Sequence, residues 1–254
     1  MKRVQALGVQ VDPVTLEQAA LRVEEWFRDS NGTCRFVVTP NLDHAVLLRG
    51  HTALQRAYSE AALIIPDGMP MVWASYLRRS PFKERVAGSD LVPLLMARAL
   101  PDAPLRVFLL GAGPGVGERA AAVIRERYKS VRIVGTFSPD LGFEKDEAQN
   151  RAIVEAVNAA ETQLLVVGLG APKQELWIHQ QAPKLSCAAA VCAGATIDFL
   201  AGHRRRAPRW MQRSGTEWLH RALTEPRRLI PRYAKDALHL PSLLYLDWKA
   251  DRRT

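Results

Sequence analysis

The feature that most constrains this chain is a rhythm between residues 105 and 194. "LRVFLLG" (105–111), "VRIVGTF" (131–137), "QLLVVGLG" (163–170) and "CAAAVCAG" (187–194) are near-continuous apolar runs of strand length. Between them lie "PGVGERAAAVIRERY", residues 146–160 and "PKQELWIHQQ", all with amphipathic helical spacing. Strands apolar on both faces and separated by helices predict a parallel sheet covered on both sides. Upstream, "CRFVVTP" and "ALIIPDG" read as two more strands. Helices are predicted at "VTLEQAALRVEEWF", at 42–48 and at "GSDLVPLLMARAL". Thr15 and Gln18 form a capping-box pattern opening the first, which carries Leu16, Ala19, Ala20, Val23 and Phe27 near one face. Ser89 or Asp90 is expected to cap the last. The expected fold class is α/β, Rossmann-like, with a mainly parallel sheet and helices on both faces.

Charge divides the chain. Residues 203–254 hold 13 Lys/Arg against 5 Asp/Glu, whereas the rest holds 22 against 21. A near-neutral α/β core at 1–202 is therefore expected to carry a basic, helical, aromatic-rich appendage at 203–254, with Trp210, Trp218, Tyr233, Tyr245 and Trp248. A solvated surface or a nucleic-acid interface are two readings of that tail; no DNA- or RNA-binding motif supports the second. Cys34, Cys187 and Cys192 show no CxxC spacing, so reduced thiols are expected. The six scattered histidines form no metal motif, and neither a metal nor a cofactor is expected. No secretory signal is expected at "MKRVQALGVQVDP", and no run reaches the roughly 20 apolar residues of a spanning helix.

Ligands of such sheets bind beyond the carboxyl ends of the strands, so polar residues at those ends are candidates. Asp67 stands just past "ALII", between Pro66 and Gly68. As a helix cap it is ordinary; as a base at the crevice rim it is chemistry. Thr39 and Asn41 end "VVTPN", Arg85 and Asp90 sit in "ERVAGSD", Gly170, Lys173, Gln174 and Glu175 in "GLGAPKQE", and Gly194 and Thr196 in "CAGAT". In "FLLGAGPGVGER" the glycines miss the GxGxxG fingerprint, because Val116 holds its last position. Gly111 and Gly113 are read as cradling a nucleotide diphosphate. A nicotinamide-dependent oxidoreductase remains the alternative. There is no GxxxxGK[ST], Asp-x-Asp or GxSxG.

"VVTPNLDHAVLL", "IIPDGMPMVWAS", "ERVAGSDL", "VFLLGAGPGV", "VGLGAPKQELWI", "CAGATIDFLAG" and "RAPRWMQRSGTEWLHRALTEPRRLIPRY" follow one another in order. Over about residues 5–235 this resembles the WecG/TagA/CpsF family of bacterial glycosyltransferases. The resemblance implies metal-free, inverting transfer of a sugar from a UDP-sugar to a polyprenyl-diphosphate-linked saccharide at the cytoplasmic membrane face, in cell-surface polysaccharide synthesis. N-acetylmannosamine, glucose and uronic acids are all compatible donor sugars. Asp67 falls on the family's base, and Thr39, Arg85 and Gln174 on its other motif residues, with Asn41 beside Thr39. The resemblance also implies that the tail attaches to anionic lipid and closes the site. Its leucines (Leu238, Leu240, Leu243, Leu244, Leu246) would then enter the interface, and Arg206, Arg213 and Arg221 would bind substrate. A homo-oligomer is compatible with all of this.

Overall fold

The computed structural model describes residues 2–29, 32–77 and 81–251. Two short strands, β1 (Val4–Ala6) and β2 (Val9–Val11), form an antiparallel hairpin. Its two-residue turn, Leu7–Gly8, has positive φ at both positions, the backbone that a type I′ connection requires. Then follow α1 (Leu16–Arg28), β3 (Arg35–Val38), α2 (Leu42–Leu48), α3 (Thr52–Glu60), β4 (Leu63–Ile64), α4 (Met69–Tyr76) and α5 (Gly88–Ala97). The second half alternates β5 (Leu105–Gly111), α6 (Val116–Arg127), β6 (Val131–Phe137), α7 (Glu147–Ala159), β7 (Leu164–Gly168), α8 (Lys173–Gln181), β8 (Ala189–Cys192) and α9 (Thr196–Leu200). The tail forms α10 (Arg209–Ser214), α11 (Glu217–Thr224) and α12 (Pro226–Asp251).

The main sheet has six strands in the order β4-β3-β8-β7-β5-β6, every pair parallel. Strand side chains alternate between two cores. Phe36, Val38, Leu165, Val167 and Cys192 pack with Leu54, Trp177 and Ile178 on one face. Val37, Leu164, Val166 and Val191 pack with Val23, Leu91 and Ile124 on the other. Burial on both faces is why these strands read as unbroken apolar runs. The capping box at Thr15 is present, and α1 buries Ala19, Ala20, Val23 and Trp26. Neither Ser89 nor Asp90 caps α5: its N-cap is Ala87, without a side-chain bond.

The tail is packed against the core. Helix α12 lies on α2, with Leu229 and Leu243 at 0% and 1% exposure. Asp247 near its end accepts the Gly8 N–H at 2.9 Å, the Gln5 side-chain amide at 3.1 Å and the Leu7 N–H, and so clamps the hairpin turn. Leu243 is therefore a core residue and cannot enter a membrane interface, and Leu240 and Leu244 pack partly against the same core. Leu238 and Leu246 remain exposed, beside Tyr245 and Trp248. Among the described residues no helix is long and apolar enough to cross a membrane.

Candidate active site

The chain runs from β3 to β4 at one sheet edge, crosses to β5 and β6 at the other, and returns through β7 and β8 to the middle. That route gathers the exits of β4, β3, β8 and β7 around one cavity of about 560 Å³. Thr39, Asn41, Asp67, Gly68, Arg85, Gln174, Gly170 and Gly194 all line it. Its roof comes from the tail, through Glu217, Trp218, Arg221, Arg228, Arg232 and Asp236. The contact is tight. Gly215, between α10 and α11, has φ +76°, and a Cβ there would lie 2.1 Å from Met69 on α4.

Asp67 is held by its backbone on both sides. Its N–H donates to Pro40 at 2.9 Å, and the carbonyl of Pro66 accepts from Val86 at 2.8 Å. Gly68 is the N-cap of α4, with no side-chain cap bond, so the Asp67 carboxylate does not cap this helix. Its φ of +109° and the 3.4 Å from a built Cβ to Asn41 explain the glycine. The carboxylate instead meets Arg85 Nη1 at 3.3 Å and keeps 29% of its surface exposed. Arg85 also contacts Asp90 at 3.0 Å and Glu217 at 3.5 Å. Asp90 in turn receives Arg206 at 2.6 Å and 2.9 Å. Arg206 and Glu217 thus tie the tail to the base of the site. Burial pushes the Asp67 carboxyl above its ordinary value; Arg85 and Arg221 pull it back, while Glu217 and Asp90 push with burial.

On the opposite wall the Thr39 hydroxyl donates to the Cys192 carbonyl at 3.0 Å, tying the exit of β3 to β8. Asn41 caps α2 and accepts the His44 N–H at 3.3 Å. Gln174, 2% exposed in the first turn of α8, accepts the Gly194 N–H at 3.3 Å. Its amide donates to Glu175 at 2.7 Å. Glu175 also meets His44 Nε2 at 3.2 Å, both side chains being buried.

The other expected site residues fall elsewhere. Gly111 serves packing: a Cβ would lie 2.5 Å from the Gly168 carbonyl. Neither it nor Gly113 lines the cavity. Lys173 pairs with Glu144 at 3.0 Å on the surface. Thr196 is buried and spends its hydroxyl on the Ala193 carbonyl at 2.6 Å. Asp90 and Arg206 brace the site from behind, and the side chain of Arg213 lies outside the described residues. Sequence reasoning passed over His44 and Glu217, and noted Glu175 only as a polar residue at a strand exit. The signal for His44 was present, since it stands one helical turn from the singled-out Asn41. Among the described residues, no three His, Cys, Asp or Glu side chains group as a metal site.

The glycosyl transferase WecG/TagA/CpsF family model matches residues 4–254. The chain belongs to this family. Its curated relatives include N-acetylglucosaminyldiphosphoundecaprenol N-acetyl-beta-D-mannosaminyltransferases from Staphylococcus aureus strains MRSA252 and NCTC 8325 / PS 47. Each is 27% identical over 227 residues, covering 89% of this chain and 87% of the relative. In this member Thr39, Asn41, Asp67, Arg85 and Gln174 converge on one cavity roofed by the tail.

Proposed function

We propose that this glycosyltransferase moves an N-acetylmannosamine-type hexose from a UDP-sugar to a polyprenyl-diphosphate-linked saccharide, with inversion and with Asp67 as general base. The names of the relatives support the sugar and the acceptor class. The observation that carries the chemistry is the Asp67 carboxylate, which faces the cavity, caps no helix and is gripped by Arg85. Asp67 takes the proton of the acceptor hydroxyl as that oxygen bonds the anomeric carbon, and the bond from that carbon to the UDP oxygen breaks. The departing diphosphate carries the negative charge, which cations in a water-poor cavity stabilise. Arg221 suits that task, since it lines the cavity and makes no contact ion pair among the described residues, its charge acting on Asp67 only at longer range. Arg85, bound to three carboxylates, instead holds and tunes the base. Thr39, Asn41 and Gln174 orient the sugars. The basic tail and its exposed Leu238, Tyr245, Leu246 and Trp248 place the enzyme peripherally on an anionic cytoplasmic leaflet.

The test is Asp67→Asn, assayed with UDP-N-acetylmannosamine and a short-chain prenyl-diphosphate N-acetylglucosamine. The amide keeps the shape but cannot take the proton, so kcat falls by about 10²–10⁴ while donor affinity stays within a few fold. A variant with nearly unchanged kcat would remove Asp67 from the mechanism.

A further inference from the structure

A buried polar chain runs beneath the cavity from α8 to α2. Glu175 is 0% exposed and does not itself line the cavity. A carboxylate so buried is tolerated only where neighbouring groups donate to it. Two do, both at Oε1: the Gln174 amide at 2.7 Å and His44 Nε2 at 3.2 Å, while the buried Oε2 has no hydrogen-bond partner among the described residues. The other ring nitrogen of His44 lies 2.9 Å from Asn41 Oδ1. Burial, the largest single influence, lowers the His44 pKa, but Glu175, Asp43 and Asp67 together outweigh it, and the net shift is upward. The ring of Tyr58, 6.4 Å away on α3, adds no charge. With both nitrogens protonated, one N–H donates to Glu175 and the other to Asn41 Oδ1. The 3.4 Å approach of the Asn41 N–H to Nδ1 is then not a hydrogen bond.

The consequence concerns amide orientation. Asn41 Oδ1 is filled by two donors from His44, so its NH₂ is the end left for a ligand. Gln174 Oε1 is filled by the Gly194 N–H and one amide hydrogen by Glu175, which leaves its second N–H. The two ends of an amide have nearly the same shape, and only such partners distinguish them. We propose that Glu175 and His44 are positioning residues that hold Asn41 and Gln174 with their N–H ends toward the cavity, so that the donor group seated there is an oxygen acceptor, either an acetamido carbonyl or a phosphate oxygen. The ligand half rests on the UDP-sugar reading above; the orientation half does not.

Two measurements test it on the full chain. With ¹⁵N-histidine labelling, one imidazole should lose its second proton only above pH of about 6.5, where free histidine does. That signal should vanish in His44→Gln and titrate at lower pH than in the wild type in Glu175→Gln, where burial is no longer opposed by the carboxylate. A neutral His44 ring at neutral pH in the wild type overturns the relay. Asn41→Asp guards against variants that fail to fold: it keeps the helix cap and an oxygen toward His44, but turns an acceptor to the cavity. It should weaken nucleotide-sugar binding by about tenfold or more. Loss with UDP alone assigns the acceptor to phosphate; loss only with UDP-N-acetylmannosamine assigns it to the acetamido carbonyl. Wild-type binding of both by Asn41→Asp overturns the assignment. Should the wild type bind neither nucleotide, the donor reading fails and the ring signal alone decides the relay.

Discussion

The base role proposed for Asp67 requires an ionised carboxylate, and its surroundings pull that equilibrium both ways. Burial raises its pKa and Arg85 is the largest opposing influence. The acid limb of kcat/KM is therefore expected above the ordinary aspartate value of about 3.9. Arg85→Ala should move the limb to still higher pH, because the influence that favours the carboxylate is gone, and should lower kcat as well. Arg85→Lys should fall between the two. A pH–rate profile whose limb does not move would show that Arg85 does not tune the base. The diphosphate calls for a different cation. Arg221→Ala should lower kcat sharply, and wild-type turnover should survive EDTA if arginine does the work given to a metal elsewhere. Strict dependence on added Mg²⁺ or Mn²⁺ would refute this. The residues legible in the sequence were those at strand exits, such as Thr39, Asn41, Asp67, Gln174 and Gly194, because an α/β sheet dictates where its exits converge. Glu217, Arg228 and Arg232 reach the cavity only through the way α11 and α12 fold back, and no local pattern encodes that.

Among the elements, the docking of α12 on α2 has its own pH signature. Asp236, 3% exposed in α12, has its pKa pushed up to about 6, first by burial and then by Asp43, with Arg232 opposing. Its folded pKa lies above the unfolded one, so protonation favours the docked state. The stability that protonation provides is present at low pH and is lost as pH rises from about 4 to about 6. Asp236→Asn should remove that window and raise the melting temperature at neutral pH, by at most about 3 kcal/mol of stability. Equal pH dependence of melting in the variant and the wild type would exclude Asp236 as the source. The core strands were legible because long apolar runs admit few other readings. The β1–β2 hairpin was not: its strands have three residues each, too few for a period. Helix α3 was equally silent, with only Leu54, Ala57 and Tyr58 buried. The glycine loop has a second physical reading. Gly111 meets the need of two strands to approach closely, which leaves the same sequence mark as a phosphate cradle.

For the whole molecule, the proposed membrane attachment raises the question of which side of the tail is open to lipid, and the buried set narrows it by subtraction. Leu229 and Leu243 are consumed by the core and Asp247 by the hairpin turn, whereas Leu238 is 81% and Tyr245 57% exposed. Cutting the chain at Gly202 would strip the cavity of its roof and expose the patch beneath Leu243, so loss of activity in that truncation would not report on membranes. Point changes separate the roles. Leu243→Ala should cost about 2–5 kcal/mol by leaving a cavity in packed core, and so lower the melting temperature and turnover together. Leu238→Ser with Leu246→Ser should change stability by no more than about 0.5 kcal/mol per site, as exposed positions do. That double variant should bind anionic liposomes less well yet turn over a short-chain soluble acceptor at the wild-type rate, because neither residue lines the cavity. Adding salt should weaken the remaining attachment, since screening shortens the reach of the basic tail. Liposome binding that matches the wild type in both salt and variant would mean that this face of α12 does not hold the enzyme on the membrane, and the contact would have to lie on another surface.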